Sequence, residues 1–376
     1  MSRLRCEGIL NAGLVGFICF FAATDALLAQ KQDPLKPLSV WDKSVNLRFA
    51  GGYKDNLLLS NIRTIASGFV ATGIDLMVVR LPTDGAQFVF FLNGEDIRYF
   101  AGGPVDKEEA LIAVAQVKKD FAENWRVGLE AQYIYQDQVV DASTTETNQT
   151  VLAQGSSLSV RPTIRRDFSK NTWLELGLGV NRQYFKAPLD DYWEGGPKLT
   201  LGHEYGNRSE WTLSYDLNRR AYDNREQLTK DGIPIAQSSL EFTRNEFDLT
   251  VRNNWDHKRR WRTTTKIGFE LNEDNGSGYF DYKRYYVAQQ LRFQTSKWEL
   301  QGRIKFNYYD YAIQTVSDIN PAIRNRTGVI LNLRGDRQLT KAIKLYGVFE
   351  HERVLSNRTT DQYRVNVVSG GVDWEF

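Results

Sequence analysis

The chain has 376 residues, with 48 basic and 46 acidic side chains giving a formal charge of +2, and this balance gives no support to nucleic-acid binding. It is polar on average yet rich in Trp, Tyr and Phe, and after residue 28 no apolar run approaches the length of a spanning helix. Such a chain can cross a bilayer only as a closed β-barrel, whose strands show lipid one residue in two.

Met1-Ser-Arg-Leu-Arg5 is a short basic start, and Ile9 to Leu28 follows as a mostly apolar run. With small residues at Ala26 and Ala29, residues 1–29 read as a secretory signal peptide cut after Ala29. Both cysteines, Cys6 and Cys19, fall inside it, so no disulfide or thiolate chemistry is expected in the mature chain. Residues 30–44 contain Pro34 and Pro37 and read as a periplasmic lead-in, leaving 45–376 as one domain.

Trp125, Trp173, Trp211, Trp261 and Trp298 each follow a brief polar turn and open an alternating run. Leu81-Pro-Thr-Asp-Gly85 and Thr340-Lys-Ala342 look like the same turn without the tryptophan. Seven such turns, each joining two hairpin arms, predict about sixteen strands, with fourteen to eighteen admissible. The alternation is plain after the turns. Leu174, Leu176, Leu178 and Val180 oppose Glu175, Gly177 and Gly179, and Leu300, Ile304 and Phe306 oppose Glu299, Gln301, Arg303 and Lys305. An amphipathic soluble sheet would alternate too. Length near ten residues, aromatics at the strand ends and alternating short and long connections favour the membrane. The expected fold is all-β: a transmembrane antiparallel up-and-down barrel.

Long connections are expected near 53–63, 98–108, 136–152, 185–196, 221–238, 272–281, 311–326 and 353–361. The apolar phase slips near Val367-Val368 and between Phe242 and Phe247, which predicts a bulge at each place. The strands around Phe69 to Val79 and Phe88 to Leu92 are the least clearly phased.

Three histidines are a thin supply for catalysis. His203 shares a face with Leu199, Leu201 and Tyr205, His257 falls in a turn, and His351 lies toward the outer end of its strand. Only His351 is placed to serve a hydrolase, and a rim histidine is the plainer reading. The sequence has no metal-ligand spacing, phosphate loop or dinucleotide fingerprint, so no enzyme, cofactor or metal is expected. The polar faces supply the lumen candidates: Arg126, Glu130, Arg161, Arg165, Glu175, Asp216, Arg262, Lys266, Glu270, Arg303, Lys305 and Arg334. Basic groups outnumber acidic ones among them, which predicts mild anion preference if the lumen holds water. The alternative is that opposite charges pair across the lumen and fill it.

The chain ends on Ser369-Gly-Gly-Val-Asp-Trp-Glu-Phe376, with Val372, Trp374 and Phe376 on one face. Ser369, Gly371, Trp374 and Phe376 fill the places of the C-terminal assembly signal of bacterial outer-membrane β-barrel proteins, which the segment resembles. Gly51-Gly-Tyr-Lys-Asp-Asn56 also resembles the openings of such barrels. The resemblance implies a bacterial outer membrane, contact with its lipid and lipopolysaccharide, and delivery through the barrel-assembly machinery. The function it implies is a porin-like channel for small polar solutes, with the homotrimer that porins often form as the implied assembly. A non-conducting barrel serving export of a polysaccharide or surface lipoprotein is the alternative.

Overall fold

The structure is a computed structural model that describes residues 40–82, 84–146, 150–317 and 321–376. The expected signal peptide over 1–29, both cysteines and lead-in residues 30–39 lie outside the described residues.

The chain runs through β1 (Trp41–Lys54), β2 (Ser67–Arg80), β3 (Ala86–Tyr99), β4 (Lys107–Ala122), β5 (Trp125–Asp141) and β6 (Thr150–Asp167). It continues through β7 (Thr172–Phe185), β8 (Tyr192–Tyr205), β9 (Ser209–Tyr222), β10 (Glu241–Asn254) and β11 (Trp261–Asp274). The last strands are β12 (Tyr282–Gln294), β13 (Trp298–Thr315), β14 (Ile323–Gln338), β15 (Ile343–Ser356) and β16 (Tyr363–Glu375). Every strand pairs antiparallel with its neighbours in sequence, and β16 returns to β1, so the sheet closes as a barrel of sixteen strands. At the seam Leu47 faces Trp374, Phe49 faces Val372, and the Phe376 amide donates to the Val45 carbonyl at 2.9 Å. Closure removes the exposed edge that an open sheet would present.

The seven short turns and both ends of the barrel sequence lie at one end, and the eight longer connections lie at the other. Between β8 and β9 the turn is tight, and Gly206 takes a positive φ of 52° that costs glycine nothing. The predicted turn between β2 and β3 is pinned by Arg80, which grips Asp84 at 2.9 Å and holds its carboxyl down to about 2.

Three expectations need correction. The barrel begins at Trp41, not 45, because β2 continues to Arg80 and residues 41–44 satisfy its backbone groups. The connections expected over 136–152 and 311–326 are narrower, since β5, β6, β13 and β14 pair on beyond the point where their apolar alternation stops. The two predicted bulges do not exist. Registers on both sides of β10 and β16 run unbroken through Phe242–Phe247 and Val367–Val368. Phe242, Val365 and Val367 simply point inward and pack in apolar clusters inside the barrel. Register shifts occur instead beside Asp120/Ala122 and Asp310/Thr315.

Outside, large apolar side chains stand exposed around the whole circumference, among them Phe49, Leu129, Leu178, Leu213, Ile267, Phe306 and Val372. Trp41, Trp261, Trp298, Trp374 and Phe376 ring the turn end of this belt, and Tyr53, Tyr184, Trp193, Tyr285 and Tyr308 lie toward the loop end. Water would not tolerate so continuous an apolar surface, whereas a bilayer core with aromatic-rich interfaces matches it. This is a transmembrane barrel.

Candidate functional site

The interior is divided into an open half and a filled half. A cavity of about 2700 Å³ opens at the turn end. Its deep walls come from β1 to β6 and β14 to β16, and β7 to β13 contribute only residues near their turn ends.

Arg126, Glu130, Arg161, Arg165, Glu175, Arg262 and Arg334 of the sequence candidates line this cavity. Strand register gathers five of them on one wall. Arg126 is opposite Arg165, Glu130 is opposite Arg161, and Arg165 is opposite Glu175. Lys118 joins them from β4. Arg126 pairs with Asp120 at 2.5 Å, and Arg165 pairs with Asp167 at 2.7 Å while stacking 4.3 Å from the Trp173 ring centre. Trp173 itself lies over Gly202, where any Cβ would collide with the indole. Arg161 rests on the bare backbone of Gly177 and Gly179, and its Nε makes no hydrogen bond. On the far wall Arg334 pairs with Asp336 at 2.6 Å and Asp373 at 3.1 Å.

Asp216, Lys266, Glu270, Arg303 and Lys305 face inward but belong to the filled half, away from the cavity. There Glu194 is held between Arg220 at 2.6 Å and Arg244 at 2.9 Å. Glu270 accepts from Tyr282 at 2.7 Å and pairs with Arg284 at 3.1 Å. Asp216 lies 3.8 Å from Lys198, and Asp248 lies 3.6 Å from Lys266. Charge pairing between strands close together along the wall thus fills this half of the barrel.

An acidic wall was not legible in the sequence. Glu95, Glu108, Glu350 and Glu352 line the cavity from β3, β4 and β15. Glu108 pairs with Lys54 at 2.7 Å and accepts from Tyr99 at 2.9 Å, and Glu352 accepts from Tyr363 at 2.8 Å. Glu108, Glu350 and Glu352 sit on β4 and β15, and parity would have found Glu95 had β2 and β3 been phased. Phe69, Ala71, Met77, Val89 and Phe91 make the inward faces of those strands apolar as well, so no alternation survives.

The outer end of the cavity meets the hairpin of β5 and β6. Asp137, Gln138, Val140, Asp141, Ala142, Ser143 and Thr144 are all buried, with no alternation. Such a run means that the tip has left the barrel wall for the interior. It reaches β14, seven strands round the barrel, where Asp141 pairs with Arg326. Arg324 donates to the Ser143 carbonyl at 3.1 Å and pairs with Asp361 at 2.6 Å. Val139 packs against the buried groups around Leu57 and Leu59. Arg225 pairs with Glu146 at 2.8 Å. Burial still pushes the Glu146 carboxyl up to about 7, with Arg225 acting against the rise. Among the described residues, Leu59 alone of the long connections touches the cavity.

His203 faces outward and hydrogen-bonds Thr172 at 2.8 Å, and His257 lies in the turn between β10 and β11. His351 hydrogen-bonds Asn366 at 2.7 Å, and its same-face strand neighbours are Phe349 and Arg353, neither a nucleophile. At the seam, Ser369 is opposite Gly52 and Val348, and Trp374 stacks on Phe376 with ring centres 4.7 Å apart. A Cβ at Gly371 would strike the Phe49 carbonyl.

The fold and lumen define the class: a sixteen-strand transmembrane β-barrel with a charged cavity of about 2700 Å³. No family model matches the chain. No curated relative matches it either. Solved structures do. A BenF-like porin from Pseudomonas fluorescens Pf-5 aligns at 9% identity and a TM-score of 0.49, covering 90% of this chain and 100% of that one. An anion-selective porin from Comamonas acidovorans aligns at 10% identity and a TM-score of 0.43, covering 89% and 100%. A bacterial polysaccharide outer membrane secretin aligns at 11% identity and a TM-score of 0.44, covering 88% and 98%.

Proposed function

We propose that this chain is a porin-like channel of a bacterial outer membrane, passing small polar solutes with mild anion preference. The observation that carries the reading is the cavity of about 2700 Å³, lined by charged side chains inside a barrel that wears an apolar belt. Basic residues slightly outnumber acidic ones along it, and Arg208, Lys258, Arg259, Arg260, Lys297 and Lys341 collar its mouth. Positive potential at a mouth concentrates anions there. In this reading the β5–β6 hairpin, whose Gln138 and Val139 line the cavity, acts as the gate. Within this reading Arg126, Glu130, Arg161, Arg165, Glu175, Arg262 and Arg334 line the path. Ser369, Gly371, Trp374 and Phe376 present the last strand to the barrel-assembly machinery, the belt meets phospholipid and lipopolysaccharide, and a homotrimer is the expected assembly.

The clamp on the hairpin favours a second reading, a non-conducting barrel serving export of a polysaccharide or surface lipoprotein. Planar-bilayer recordings separate the two. The channel predicts stepwise conductance from refolded protein and a reversal potential displaced toward anions. Silence from the wild type and from a variant lacking hairpin residues 138–146 alike would leave only the scaffold.

A further inference from the structure

Outward-facing basic side chains near the loop end of the barrel are mostly answered by acids. Arg98 pairs with Asp96 at 2.8 Å, Lys107 with Glu109 at 2.9 Å and Arg182 with Asp223 at 2.5 Å, and Arg219 pairs with Glu241. Arg353 and Arg364 break the pattern. They stand directly opposite each other on β15 and β16, and both are exposed. Like charges in directly opposed positions repel and weaken the strand pair. Among the described residues neither side chain has an ion pair or hydrogen bond. The acids on these strands and at the end of neighbouring β1 are engaged elsewhere. Glu350 and Glu352 face the cavity, and Asp55 spends both oxygens on Asn366, at 2.7 and 2.5 Å.

Their height in the membrane identifies what could answer them. Trp374 marks the turn-end interface on β16, and Arg364 lies ten residues farther along the strand. At about 3.3 Å per residue and a tilt of roughly 40°, that is about 25 Å along the barrel axis, the height of an apolar belt. Both guanidinium groups therefore emerge where lipid headgroups begin. Below them Val368 and Tyr53 are exposed on the same side, a surface suited to acyl chains. Guanidinium forks match phosphate oxygens bidentately, and two of them side by side suit a dianionic phosphate.

We propose that Arg353 and Arg364 form a binding site for the phosphate of a phosphorylated outer-leaflet glycolipid, the headgroup chemistry of lipopolysaccharide. This rests on the outer-membrane reading above. The backbone beneath the site is tied down, since Asn56 donates to the Arg364 carbonyl at 2.9 Å.

The test is native mass spectrometry of the full-length barrel in detergent, titrated with bisphosphorylated lipid A, with dephosphorylated lipid A and with inorganic phosphate. Wild type is expected to hold phosphorylated lipid A at least about tenfold more tightly than the R353Q/R364Q variant. R353K/R364K is expected to fall between them, because charge remains while the fork is lost. Equal retention by wild type and R353Q/R364Q overturns the site, and so does equal binding of the dephosphorylated probe. Competition by inorganic phosphate at the lipid's own concentration would show a general anion site and also overturn it. Gel mobility before and after heating reports folding of every variant. A wild type that stays folded without detergent would sink the outer-membrane reading itself, an outcome distinct from loss of lipid binding.

Discussion

Asp141 and Arg326 are both buried, and each would be an uncompensated charge without the other. Removing one partner of such a pair costs about 3–5 kcal/mol, whereas replacing both by apolar groups costs far less. D141N is therefore expected to free the hairpin and raise open probability in bilayers, and D141L/R326M to restore long closures. Glu146 supplies a second handle on the same hairpin. Its carboxyl, raised to about 7 from an ordinary 4.5, binds its proton more readily in the closed arrangement than when free. Asp190 adds to the rise, and Arg225 and Arg220 oppose it. A group raised in this way stabilises closure fully below about 4.5 and loses that contribution as pH climbs through about 7. Open probability should thus increase from pH 4.5 to 7.5, and E146Q should flatten the dependence. Neither effect was visible in the sequence, where 141–150 is a polar stretch with nothing to reveal that it turns inward.

Strands were legible in proportion to how different their two faces are. β7, β9 and β13 have lipid on one side and charged or small residues on the other, so their parity could be read directly. β2 and β3 carry Met77, Val89 and Phe91 inward, and with apolar residues on both faces their phase vanished. The same inward apolar packing at Phe242 and Val367 imitated a bulge. What a sequence displays is local contrast, and it does not distinguish a shifted register from a side chain buried in the lumen. The C-terminal end of β16 was the clearest stretch because it ends on aromatics that cap the seam. Deleting Phe376 removes a backbone hydrogen bond to Val45 and the partner stacked on Trp374. The deletion is expected to lower the amount of heat-modifiable barrel recovered from outer membranes several-fold, with Glu375 left as the terminus. Equal recovery would remove the role given to this end.

Across the whole barrel, charges of the same type have different surroundings. R161E places an acid on the open wall beside Glu130 and Glu175, and the reversal potential should move toward cations. K266M acts in the filled half, where Asp248 lies 3.6 Å away and the cavity does not reach. It is expected to lower thermal stability and leave selectivity nearly unchanged, the opposite of R161E. Measuring both quantities for both variants checks the division. Strand number fixed the circumference in advance of any structure, but the distribution of side chains within it depended on contacts between residues far apart in sequence.

That half-occupied bore has a corollary for sieving. A wall of sixteen strands suggests a generous aperture, yet the cavity follows one flank, with Gln138 and Val139 of a single hairpin on its outer lining. Size exclusion should consequently respond to residues 138–146 and hardly at all to trimming side chains on β8 through β13. Two barrels of identical girth could then differ widely in the largest molecule they admit.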